Sequence, residues 1–198
     1  PRPWLLALGF IRPHLPFIAP SNFWDAASGA QGARGAEAVP AAGLSSLTAA
    51  HLSAGDGELY DFSGPRAVHA DSSHGRDLSR AYAAAVSFVD SQVGRVLRAL
   101  DGASDSQRAG AYNSTVVVLL SDHGWKLGHH GAWGKHTLTA ADTHVPFLIR
   151  SPGFAPKRIH APVELIDLFP TLCELAHVPL PSSQRAVVAA SAGGADSG

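Results

Sequence analysis

The six residues TVVVLL, Thr115 to Leu120, constrain the fold more than any other stretch of the chain. They are apolar on both alternating faces and rich in β-branched side chains, the pattern of a parallel strand covered by helices on both sides. The polar run SDHGWKLGHHGAWGKH, Ser121 to His136, follows without a break. In open α/β sheets ligands bind outside the carboxyl ends of the strands. Asp122 and His123 fall at that place.

The remaining elements agree with such a sheet. Trp4 to Phe10 (WLLALGF) is an apolar run of strand length, and the three prolines of IRPHLPFIAP make a stiff loop that carries His14. Between Arg76 and Asp101, Leu78, Tyr82, Ala85, Val89, Val93, Val96, Leu97 and Leu100 recur at steps of three and four, one helical stripe that Gly102 ends. Val145 to Ile149 reads as another strand, and Asp167 caps a helix to about Ala176 with Pro170 in its first turn. The order predicts an α/β fold with a mainly parallel sheet flanked by helices. Ala26 to Gly57, made of Ala, Gly and Ser with little periodicity, is expected to be a flexible insertion; residues 182–198 are expected to be a disordered tail behind one domain over 1–181.

Bulk properties narrow the function by exclusion. A net charge of -1 gives no broad electrostatic footprint for nucleic acid or an anionic membrane, so recognition rests on a local site. No apolar run approaches the roughly 20 residues of a membrane span. The single cysteine, Cys173, lies among apolar neighbours in LFPTLCELA and reads as a buried hydrophobe, with no disulfide framework or thiolate metal site possible within the chain. With no methionine and an opening on PRPWLLALGF, the chain reads as a piece of a larger protein.

Asp122 is placed to offer a carboxylate to a divalent cation, and His123 to add a ring nitrogen or a hydrogen bond. The competing interpretation is a turn that merely ends a strand. Lys126 and Lys135 are cationic heads for a tetrahedral anion such as sulfate or phosphate. His129, His130 and His136 match no zinc spacing, and the glycines between them argue for loop. His14, held between prolines, is a candidate donor to an oxyanion or a leaving group, or a loop histidine with a backbone partner. Asp142 and His144, before the Val145–Ile149 run, are placed to orient the loop above, and nothing in their spacing requires a catalytic role. Trp125 and Trp133 read as core cover, and Asn113-Ser114-Thr115 is a glycosylation sequon.

Taken together, the blocks ALGFIRPHLPF, RAYAAAVSFVDSQVGRVLRALD, NSTVVVLLSDHGWKLGHHGAWGKH, THVPFLIRSPG and VELIDLFPTLCELAHVPLP resemble the sulfatases of the alkaline phosphatase superfamily, most nearly the branch acting on iduronate 2-sulfate. The resemblance implies that Asp122 and His123 belong to a calcium site, that Lys135 contacts the sulfate, that His14 faces the sulfate ester, and that His130 lies on the substrate side. Calcium prefers oxygen ligands, which ranks His123 below Asp122. His129 stands where such sulfatases have a glutamate. The resemblance also implies a sulfated sugar or glycosaminoglycan as partner and a secretory, lysosomal or extracellular setting.

Two family features are absent from residues 1–198: the C-x-P-S-R motif, whose cysteine becomes the formylglycine nucleophile, and an early aspartate pair that completes the metal site. Cys173 is followed by Glu-Leu-Ala and does not fit that motif. Both features are expected upstream of Pro1, and the isolated chain is expected to lack turnover. Two rivals remain open, a phosphoesterase of the same superfamily and a non-catalytic sulfated-glycan-binding protein.

Overall fold

The computed structural model describes residues 3–29, 73–102, 111–129, 132–182 and 184. Helix α1, Ser21–Ala26, follows the proline loop, and a 3-10 turn at Ala27–Gly29 continues it. Most of the expected insertion, together with His130 and nearly all of the expected tail, lies outside the described residues. Helix α2, Ser73–Asp101, is the longest element. Its expected stripe is borne out: Ala84 and Ala85 are buried and Leu78, Tyr82, Val89, Val93, Val96, Leu97 and Leu100 are half-buried. Gly102 follows in the left-handed region at φ 69°, which a residue with a Cβ adopts only at a cost.

Strand β1, Val117–Leu120, pairs with β4, Phe147–Arg150, and the two-residue strands β2, Lys126–Leu127, and β3, Trp133–Gly134, form a small hairpin between them. Short helix α3, Ala140–Thr143, leads back into β4, and helix α4, Leu168–Leu175, closes the described chain with Pro170 in its first turn and Cys173 buried. Asp167 caps differently from expectation. Its carboxylate accepts the Glu164 backbone N–H at 3.0 Å, closing a capping box on the preceding 3-10 turn at Leu165–Asp167.

The α/β class holds, but both ladders among the described residues are antiparallel, Val117 facing Arg150 and Lys126 facing Gly134. The expectation of a parallel neighbour rested on the two-sided apolar pattern of β1, which reports burial on both faces and not strand direction. Here the connection through the hairpin and α3 simply returns β4 beside β1. The expected double cover is also not seen among the described residues, where Leu119 and Leu120 stay exposed.

Trp4 to Phe10 is no strand. It runs without regular structure, with Leu5 88% exposed, because a strand needs a ladder partner for its backbone groups and none of the described residues supplies one.

The core sits where the proline loop, α2 and the hairpin meet. Leu15, Trp125 and Trp133 form its buried centre, with Phe17, Leu78, Tyr82 and Leu127 packed around them. Phe17 meets Tyr82 and Trp125 edge-on at centroid distances of 5.4 and 5.8 Å. Both tryptophans are core cover, as the sequence suggested, and burial raises the Tyr82 phenol above its ordinary pKa.

Candidate active site

Each described candidate residue lies within three positions of a core anchor: His14 beside Leu15, Asp122 and His123 just before Trp125, and Lys135 just after Trp133. Polar side chains that emerge so close to fixed apolar ones inherit their position. His14 is held from three sides. Its backbone N–H donates to Ile11 O at 2.9 Å, its carbonyl accepts Arg12 Nη1 at 3.0 Å, and its ring Nδ1–H donates to Leu15 O at 2.8 Å. The half-buried ring thus has the backbone partner expected of it, and that carbonyl selects the Nδ1–H tautomer when the ring is neutral.

After β1 the Ser121 N–H reaches Pro146 O at 3.2 Å, carrying the pairing with the β4 side one step further before the chain turns. Ser121 Oγ then donates to His123 O at 2.8 Å, and Asp122 Oδ1 accepts the His123 N–H at 3.0 Å. Gly124 donates its N–H to Asp142 O at 2.7 Å, and a Cβ at 124 would collide with the Ala141 carbonyl, so glycine is required by this close approach. The turn leaves the Asp122 side chain 83% exposed.

The structure brings Asp122 and His123 together. His123 Nδ1–H is committed to Gly124 O at 2.9 Å, and Nε2 stands 3.6 Å from Asp122 Oδ2. In the neutral ring that nitrogen is a lone pair facing a carboxylate oxygen, an arrangement relieved by a proton or by a cation between them. The donor set therefore suits part of a divalent-metal shell. It is not a whole one: among the described residues no group of three or more His, Cys, Asp or Glu side chains converges.

Lys135 lies half-buried at the open end of the hairpin, just after the Gly134 that pairs with Lys126, with Nζ 5.7 Å from the centroid of the Trp125 ring. His136 follows with φ 71°, an uncommon conformation outside glycine. His129 closes the hairpin loop by accepting the Leu127 N–H on Nδ1 at 3.1 Å, which gives it a structural part.

Lys126 is not a cation offered to an anion. Its side chain is fully buried, and Nζ donates to Asp142 Oδ1 at 3.1 Å, to Asp142 Oδ2 at 2.9 Å and to Thr137 Oγ1 at 3.2 Å. These three bonds use all three ammonium protons. Asp142, also buried, accepts the Thr137 N–H at 2.8 Å and the Thr137 hydroxyl on Oδ2. Burial alone would raise the Asp142 pKa, but the Lys126 and Thr137 hydrogen bonds and the Lys126 charge hold it below the ordinary carboxylate value. The sequence reading placed Lys126 with Lys135 and gave Asp142 no partner. Trp125-Lys126-Leu127 as a strand would have been the only hint, since it turns Lys126 away from the side of its neighbours.

A sulfatase family model matches residues 1–178. A sulfatase from Formosa agariphila is 34% identical over 179 residues, 88% of this chain and 32% of that protein. Iduronate 2-sulfatase from Homo sapiens is 37% identical over 132 residues, 54% of this chain and 23% of that protein. A solved structure from Bacteroides thetaiotaomicron, described as a sulfatase candidate, superposes with a TM-score of 0.54 over 92% of this chain and 33% of its own, at 24% identity, which speaks to the fold alone. The chain spans about a third or less of the length of these proteins. Since the family model covers nearly all of it, the chain belongs to the sulfatase family.

Proposed function

We propose that the protein hydrolyses sulfuric esters, with a sulfated sugar of the iduronate 2-sulfate or glycosaminoglycan type as substrate. The observation that carries this is the hairpin anchored by Trp125 and Trp133, which has the Asp122–His123 donor pair at its start and the Lys135 ammonium at its end. The residues entering the hairpin suit a cation and the lysine leaving it suits an anion. The similarity to iduronate 2-sulfatase supports the choice of sugar.

Sulfatases generally use a divalent metal in the active site. We take it to be calcium, held in part by Asp122 and His123; when bound it stabilises negative charge on the sulfate oxygens. Lys135 holds a sulfate oxygen as a point charge and hydrogen-bond donor. His14, with Nδ1–H kept on Leu15 O, is oriented to pass a proton from Nε2 of its charged form to the leaving sugar oxygen. His130 is assigned to the substrate side. The nucleophile in this reading is a formylglycine supplied by the rest of the protein, because residues 1–198 contain no C-x-P-S-R motif. The exposed Asn113 of the sequon is consistent with a secretory setting.

The test is hydrolysis of an aryl sulfate by the full-length protein. Asp122→Ala and Lys135→Ala should each lower kcat/KM by about 100-fold or more, and purified 1–198 should show no turnover. Wild-type rates in the Lys135→Ala variant would remove the anion-binding role and, with it, the main support for the proposal.

A further inference from the structure

We propose that Lys126 and Asp142 are positioning residues, a buried ion pair that sets the separation between the cation-binding and anion-binding ends of the site. The inference rests on the reading of Asp122, His123 and Lys135 given above. Three segments meet at the pair. Lys126 begins β2 directly after the Asp122-His123-Gly124 turn, Thr137 follows Lys135 and His136, and Asp142 lies on α3.

Each segment is tied to Asp142 by a separate bond. Its carbonyl takes the Gly124 N–H, its carboxylate takes both Lys126 bonds, and Oδ2 also takes the Thr137 N–H. Lys126 in turn reaches Thr137 Oγ1, and its strand pairs with Gly134, the residue before Lys135. The ion pair is shut off from solvent: the Lys126 side chain is 0% and the Asp142 side chain 4% exposed. A displacement of α3 therefore moves the turn before β2 and the turn after β3 together.

Stability is a weak reason for such a pair, since desolvation of two charges offsets much of their attraction and apolar replacements of similar volume are often tolerated. Geometry is the stronger reason. The His136 backbone is held in the left-handed region between Lys135 and Thr137, a conformation that persists only where its surroundings over-determine it. The Thr137 bonds to Asp142 supply that determination one residue away.

The experiment uses the full-length protein, comparing wild type with the double variant Lys126→Met/Asp142→Leu, which leaves no buried charge unpaired. Melting temperature, kcat and KM on an aryl sulfate, and a crystal structure are measured for both. The expected result is a melting temperature close to wild type, kcat lower by about 10- to 100-fold with a smaller change in KM, and a shift of about 1 Å in the separation of the Asp122 and Lys135 Cα atoms. An unchanged separation with kcat within about two-fold of wild type overturns the proposal. Should the double variant not fold, Thr137→Val decides, because it keeps the ion pair and the Thr137 N–H bond to Asp142 and removes only the hydroxyl with its bonds to Lys126, Asp142 and Thr139. Loss of kcat with a normal melting temperature supports the proposal, and unchanged kcat overturns it. If wild type hydrolyses no sulfate ester, the functional reading fails separately, and the Cα separation in the two crystal structures still decides the positioning role.

Discussion

At Gly124 the physical requirement is a single missing methyl group. A Cβ there meets the Ala141 carbonyl, a backbone atom that cannot rotate away, so Gly124→Ala must open the Gly124–Asp142 hydrogen bond or displace α3. The expected cost is about 1–3 kcal/mol in urea unfolding of the full-length protein. Asp142 offers a second test through pH. Its folded pKa lies below the ordinary carboxylate value, so it contributes stability that is present above about pH 4, the unfolded value, and is lost as pH falls through the folded value. Melting temperature should drop on acidification below about pH 4, and Asp142→Asn should flatten that drop while lowering the neutral-pH plateau. A parallel shift of the whole curve would mean that other carboxylates carry the acid sensitivity. The same residues mark the limit of what could be read from sequence. The place of Asp122 and His123 in the turn after β1 was legible because that turn follows an apolar strand, whereas the Lys126–Asp142 contact spans 16 positions and obeys no spacing rule.

Elements were legible to the degree that their signal was local. Helix α2 shows a three-and-four stripe and ends at a glycine in the left-handed region, so both its face and its end could be read. Strand direction could not, because an all-apolar run reports burial and not the orientation of its neighbour; the hairpin escaped notice because two-residue strands leave almost no periodicity. What joins the elements is Phe17, whose ring edges meet Tyr82 of α2 and Trp125 of the hairpin. Phe17→Ala should therefore cost about 2–4 kcal/mol, somewhat less than a fully buried phenylalanine because the ring is half-buried. It should also lower sulfate ester hydrolysis, since the loop carrying His14 loses its contact with the hairpin carrying Lys135. Phe17→Leu should recover most of the stability; if it recovers the stability and none of the activity, the aromatic edge contacts themselves orient the loop. Recovery of both stability and activity in Phe17→Leu would show instead that Phe17 acts through packing volume.

At the scale of the whole molecule, large apolar side chains stand exposed on several segments among the described residues. Leu5 is 88% and Leu148 57% exposed, on two segments that the sequence reads as buried strands. The chain matches about a third or less of the length of its relatives, and among the described residues β1 and β4 form only a two-stranded sheet that leaves those side chains uncovered. Substitutions on these segments should then have opposite signs in two contexts. In isolated 1–198, Leu5→Glu and Leu148→Glu should raise solubility and reduce binding of a hydrophobic dye, because they remove apolar surface from water. In the full-length protein the same substitutions should each lower stability by about 2–4 kcal/mol, because they place an unpaired carboxylate where a neighbour packs. A neutral effect in the full-length protein would mean that these segments face solvent there too, and that the apolar pattern of β1 and its neighbours serves contacts outside the sulfatase fold.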